Sequence, residues 1–252
     1  MATRKRTTIE TVPPRMDAVP KPQHGLKMRG EDMLRIKPKT SKQREFFDSY
    51  TQGLYFGALS GVAGTGKTYI AFFKALEEVM DRTNPYQKLV IIRSSVQSRE
   101  MGHLPGDAAE KMSMFTEPYK QIAAEIFKRK DAWDRLVEQG YVEFISTSFI
   151  RGTTFNNSII ILDESQNCNM HELDTIITRV SHTSKFFLCG DYRQVDLRKK
   201  DDKSGLLDFL TILRSMESFV EIEFGVEDIV RSSLVKEYII AKTVWEDSYN
   251  GY

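Results

Sequence analysis

The sequence predicts an α/β protein built on a doubly wound, mostly parallel sheet, and three observations carry that expectation. Short apolar runs at residues 89–92, 159–162 and 186–189 have the length and continuity of strands buried on both faces. They alternate with stretches of helical spacing, which is the pattern of parallel strands joined by crossovers. Between the apolar run at residues 54–59 and a helical pattern reaching Met80 lies Gly61-Val62-Ala63-Gly64-Thr65-Gly66-Lys67-Thr68, which fits G-x-x-x-x-G-K-[ST].

That octapeptide organises the rest. Phosphate oxygens need several converging backbone N–H groups, and Gly61, Gly64 and Gly66 let the backbone crowd around an anion. The helix that follows turns the positive end of its dipole toward the same place. Lys67 is expected to reach the terminal phosphates and Thr68 to put its hydroxyl on Mg²⁺. A flexible glycine turn would share the composition, but the strand–loop–helix context argues against it.

In chain order, residues 1–38 come first and hold five of the eight prolines with few large apolar side chains. They cannot bury enough surface to offset the entropy of ordering, so an arm that is flexible or draped on the core is expected. Residues 1–44 hold 12 Lys/Arg against 4 Asp/Glu, a net +8, and residues 45–252 hold 24 against 31, a net −7. A basic arm can neutralise nucleic-acid phosphates, and a solvated tail explains it equally well. Residues 39–252 are expected to form one domain. It opens with a cap and a helix that puts Phe46, Phe47 and Tyr50 on one side.

Further along, a loop is expected at residues 102–107 and helical spacing at 111–130. A helix at 131–138 should lead to a strand at 141–145, and a helix at 171–180 should follow the strand at 159–162. Last come a helix near 205–214, a strand at 219–224 and a helix at 231–244. No apolar stretch has membrane length and the N-terminus has no apolar signal core, so a cytoplasmic protein is expected. Cys168, Cys189 and the four histidines show no ligand spacing, which leaves no expectation of zinc or a disulfide.

The apolar run at 159–162 flows into Asp163-Glu164, two carboxylates at the C-terminal edge of the sheet, where open α/β sheets bind ligands. Asp163 is expected to hold Mg²⁺ through water and Glu164 to act as general base on an attacking water. An acidic helix start would explain a lone Asp-Glu pair, but the phosphate loop upstream favours the catalytic reading. The run at 186–189 ends in Gly190-Asp191-Tyr192-Arg193-Gln194, where Gln194 is expected to sense the γ-phosphate or orient the water. A plain Gly-Asp turn is the alternative.

Several motifs occur in one order: the phosphate loop, Arg93 and Val96 followed by G-x-L-P-G-D, I-R-G-x-T-F-x-N at 150–157, I-L-D-E-x-Q-N at 161–167, and G-D-x-x-Q-x-D-L at 190–197. Together with Val230-Arg231 and Leu234-Val235, this combination resembles the PhoH family of P-loop ATPases, over residues 39–241. The family is itself similar to the ATPase core of superfamily 1 helicases, so the resemblance implies a RecA-like P-loop NTPase fold and an ATPase with ATP and Mg²⁺ as cofactors. It implies that Gln43 hydrogen-bonds adenine and that Arg231 serves as an arginine finger or γ-phosphate sensor, in its own chain or in a neighbour's site. Ser165, His103 and Ser94 stand where the family more often has alanine, phenylalanine and proline.

The function this implies is ATP hydrolysis coupled to single-stranded nucleic acid, RNA in preference, by a helicase-like motor. One RecA-like domain cannot walk in the superfamily 1 manner, so a homo-oligomer is expected, a hexamer by analogy with other RecA-like rings. The rival is a nucleotide-switched assembly protein that hydrolyses ATP without moving along a strand.

Overall fold

The computed structural model describes residues 27–94, 108–150, 152–192 and 205–249. Among the described residues six strands form one sheet: β1 (Phe56–Gly61), β2 (Lys88–Arg93), β3 (Val142–Ser146), β4 (Ser158–Asp163), β5 (Lys185–Cys189) and β6 (Val220–Phe224). Their order across the sheet is β3-β2-β4-β5-β1-β6, and every neighbouring pair is parallel. The helices are α1 (Ser41–Thr51), α2 (Lys67–Met80), α3 (Ala108–Phe127), α4 (Ala132–Glu138), α5 (Met170–Ile177), α6 (Leu206–Arg214) and α7 (Ser233–Tyr249).

The strands divide their side chains between two cores because successive residues point to opposite faces. On one face Leu59, Leu89, Ile91, Ile159, Ile161 and Phe187 pack under α1 to α4. On the other, Ala58, Val90, Ile92, Ile160, Leu162 and Leu188 pack under α5 and α6. The expected doubly wound parallel sheet is therefore the observed architecture. The uninterrupted apolar runs in the inner strands β2, β4 and β5, in place of alternation, are what covering both faces requires.

Element edges moved by a few residues. The strand expected at 54–59 runs Phe56–Gly61, and the last helix starts at Ser233, two residues beyond the expected start, and runs to Tyr249. The cap expected before α1 is Thr40, whose hydroxyl accepts from the Gln43 N–H at 3.3 Å. Ordered packing begins upstream of residue 39. Met28 is buried and its N–H donates to Gln139 Oε1 at 2.9 Å, the Leu34 N–H donates to the Ile126 carbonyl at 2.8 Å, and Met33 and Ile36 lie against the core. The rest of the basic arm, residues 1–26, lies outside the described residues.

Candidate nucleotide site

The C-terminal ends of β1, β4 and β5 converge, with β5 lying between the strand that feeds the phosphate loop and the strand that ends in Asp163. A cavity of about 430 Å³ opens there. From the loop and α2 it is lined by Ala63, Gly64, Gly66, Lys67 and Thr68, from β4 by Asp163 and Glu164, and from the end of β5 by Gly190 and Asp191. Arg93 and Arg231 add two cations, and Pro118, Gln121, Ile122 and Glu125 of α3 form the far wall beside Tyr69.

The loop is tethered on both sides. The Val62 N–H donates to the Phe224 carbonyl at 3.0 Å, and the Val230 N–H donates to the Gly64 carbonyl at 3.1 Å, so β6 and the segment after it hold the loop against α2. Two glycines are required by this geometry. Gly61 has φ 112°, and a Cβ there would collide with the Phe224 backbone, 2.9 Å from its nitrogen and nearer still to its oxygen. Gly64 has φ 79°, and a Cβ there would meet Arg231 Cγ at 3.0 Å. Lys67 is buried and donates from Nζ to the carbonyls of Gly61 at 2.8 Å and Val62 at 2.7 Å. Burial pulls its ammonium below the ordinary lysine value, opposed by the negative charge of Asp191 and, less strongly, of Glu164 and Asp163.

Thr68 donates from Oγ1 to Asp163 Oδ1 at 2.7 Å, which joins two residues 95 positions apart. The other carboxylate oxygen, Oδ2, accepts from the Tyr119 hydroxyl at 2.6 Å. Burial, and then the charge of Asp163, push the Tyr119 phenol well above its ordinary value, so it stays protonated and donates. Glu164 has φ 51° and ψ 43°, the left-handed conformation that costs a residue with a Cβ about 1 kcal/mol or more. That turn lets β4 end and delivers the carboxylate to the cavity, where Gln166 Nε2 donates to Glu164 Oε2 at 2.6 Å. Gln166 Oε1 accepts in turn from the Asp191 N–H at 3.2 Å, and the Ser165 hydroxyl donates to the Cys189 carbonyl at 3.1 Å. The turn after β4 and the end of β5 are therefore bonded together beside Glu164.

Of the residues expected from sequence, Ala63, Gly64, Gly66, Lys67, Thr68, Asp163, Glu164 and Arg231 meet in one cavity. Gly61, Val62 and Thr65 shape the loop beneath it: Thr65 donates from Oγ1 to the Val62 carbonyl at 3.0 Å. Gln43 is buried against the loop, donating from Nε2 to the Thr65 carbonyl at 2.9 Å and accepting from the Lys39 N–H at 2.8 Å. Arg231 lies in the lining of its own chain's cavity. Gln194, His103 and Val96 lie outside the described residues.

Sequence reasoning assigned no role to Arg93, Gln166 or Tyr119. Arg93 ends β2 and pairs in register with Asp163, and Gln166 stands two residues after Glu164; both were visible as motif letters without a function. Tyr119 carried no signal, being one aromatic residue in a helical pattern. Ser94, which stands where the family more often has proline, donates to Glu172 Oε1 at 3.3 Å.

No ≥3-residue cluster of His, Cys, Asp or Glu able to hold a metal exists among the described residues. The Thr68 hydroxyl and the single Asp163 carboxylate beside it fit a different arrangement. Mg²⁺ is commonly held by one or two protein oxygens together with waters and substrate phosphates.

A family model described as PhoH-like protein matches residues 35–242. A PhoH-like protein of Bacillus subtilis (strain 168) is 34% identical over 208 residues, covering 82% of this chain and 63% of the relative. One from Mycobacterium leprae (strain TN) is 31% identical over 214 residues, covering 84% of this chain and 60% of the relative. The chain thus spans about three fifths of the length of these curated relatives. Among solved structures, Pif1 helicase from Candida albicans aligns at 16% identity with a TM-score of 0.36, covering 76% of this chain and 40% of that one. Unliganded Pif1 from Bacteroides sp aligns with the same identity and TM-score, over 77% and 42%. Such values carry no argument about activity or partners. Among the described residues no helix is long and apolar enough to cross a membrane.

Proposed function

The chain belongs to the PhoH-like protein family, and on that premise we propose that it is a Mg²⁺-dependent ATP hydrolase whose turnover is coupled to single-stranded nucleic acid, RNA in preference. The observation that carries this reading is the 2.7 Å bond between Thr68 and Asp163, which sets a phosphate-loop hydroxyl against a strand-end carboxylate with Glu164 next in the chain. Thr68 and Asp163 are the residues that would hold Mg²⁺, which supplies neutralisation of phosphate charge when bound. Lys67 and the loop N–H groups bind the phosphates. Glu164 takes the proton of the attacking water, and its left-handed turn with the Gln166 bond limits where its carboxylate can point.

Arg231 stabilises charge on the departing phosphoryl group, and its position beside Gly64 supports action within its own chain. Gln194 positions the water or senses the γ-phosphate. Gln43 recognises adenine. A side-chain amide has two N–H donors and two lone pairs, and the bonds to Thr65 and Lys39 use one of each. We assign the working form to a homo-oligomer, a hexamer, in the cytoplasm. Association is supported by α7, where Leu234, Tyr238 and Trp245 are 75%, 65% and 59% exposed, because a large apolar row in water is costly. The basic arm supports the nucleic-acid assignment through its +8 charge over residues 1–44.

Phosphate release measured with and without single-stranded RNA tests the coupling. Turnover should rise at least several-fold with RNA, and the stimulation should fade as salt rises, since each phosphate contact contributes about 0.7 to the slope of log affinity against log salt for single strands. Turnover that ignores RNA at every salt concentration would favour the nucleotide-switched assembly protein.

A further inference from the structure

Tyr119 is fully buried on α3, and nothing in the proposed chemistry calls for it. Its ring stacks on Trp133 at 6.0 Å between centroids and tilts against Phe144 at 5.8 Å, contacts that phenylalanine would make equally well. The hydroxyl is what needs explaining. A buried phenol must find an acceptor, and this one reaches across to β4 and donates to Asp163 Oδ2 at 2.6 Å, the length of a charge-assisted bond.

The consequence lies at the carboxylate. Asp163 receives Tyr119 on one oxygen and Thr68 on the other, so two donors from two different helices fix both the tilt and the rotation of the carboxylate plane. An ionised carboxylate has about four lone-pair sites, so these bonds leave capacity to hold a metal-bound water. Because Thr68 donates its proton to Asp163, its own lone pairs are left for a cation. Outer partners of this kind are what orient metal ligands in general.

We propose that Tyr119 is a positioning residue of the Mg²⁺ site, holding Asp163 in the orientation that captures the metal of the bound nucleotide. Through it, the placement of α3, which also supplies the far wall of the cavity, is tied to metal capture. This rests on the reading of Thr68 and Asp163 as the metal-holding pair.

The test uses the full chain, a fluorescent ATP analogue and Mg²⁺ titrated from chelated buffer, with nucleotide binding rather than turnover as the readout. Tyr119→Phe should raise the Mg²⁺ concentration at half-maximal tight binding by about 10-fold, while affinity for the metal-free nucleotide stays as in the parent. Trp133→Phe, which loosens the stack but keeps the hydroxyl, should leave the midpoint in place. An unchanged midpoint in a folded Tyr119→Phe protein would overturn the proposal, as would an equal shift in Trp133→Phe, since packing would then be the cause. If the parent protein's nucleotide affinity ignored Mg²⁺, the metal-holding pair itself would be wrong, and the role of Tyr119 with it.

Discussion

Exchanging Glu164 for glutamine should lower phosphate release about 100-fold or more while leaving ATP affinity near the parental value. The general-base contribution is of that size, and the amide keeps the shape of the carboxylate without its basicity. The local geometry should survive: the carbonyl oxygen of Glu164→Gln can still accept from Gln166 Nε2, and the left-handed turn depends on the backbone. Retained affinity matters as much as lost turnover, because a variant that lost both would report damage to the cavity. Single-turnover hydrolysis beside equilibrium nucleotide binding separates the two, and parental turnover in Glu164→Gln would remove the carboxylate from the chemistry.

Gly61→Ala should be the most damaging small substitution in the phosphate loop. The new methyl would enter the Phe224 backbone of the neighbouring strand, and φ 112° is strained for any residue with a Cβ. Backbone on both sides leaves nothing flexible to yield, so the loop must move or β6 must separate from β1, whose partner in register at Gly61 is Phe224. A loss of about 4 kcal/mol is expected, a large part of the ~5–15 kcal/mol that holds a domain together. At this chain length that corresponds to a fall in Tm of roughly 10 °C. Gly53→Ala is the matched control, since Gly53 also has positive φ, 96°, but a Cβ there meets nothing within 4 Å. Thermal melts followed by circular dichroism compare them. A Gly61→Ala protein as stable as Gly53→Ala would mean the loop does not lie against β6 in this way.

What could be read from the chain in advance follows physical lines. Strands covered on both faces leave uninterrupted apolar runs, so β2, β4 and β5 were legible as they stand. The phosphate loop and Asp163-Glu164 were legible because each sits where a strand must end. Their closeness follows from both strands running in the same direction with β5 between them, and it becomes a 2.7 Å bond only in three dimensions. Tyr119 was hidden because its role depends on one hydroxyl crossing from α3 to β4, a contact with no sequence spacing. The left-handed conformation of Glu164 was hidden too, since glycine, not glutamate, is the residue that announces such a turn. For Gln43 the family resemblance implied adenine recognition, and what the structure shows is its amide bracing the Thr65 carbonyl.

The central claim, that this cavity binds and cleaves ATP, is tested most directly by steady-state phosphate release from the full chain and from Lys67→Ala, each with Mg²⁺ and with chelator. The account expects release by the parent protein in Mg²⁺, its loss in chelator, and a fall of about 100-fold or more in Lys67→Ala, because it assigns to this buried, cavity-lining ammonium the charge that meets the terminal phosphates. Release by Lys67→Ala at the parental rate, or by the parent protein equally well without Mg²⁺, would contradict it.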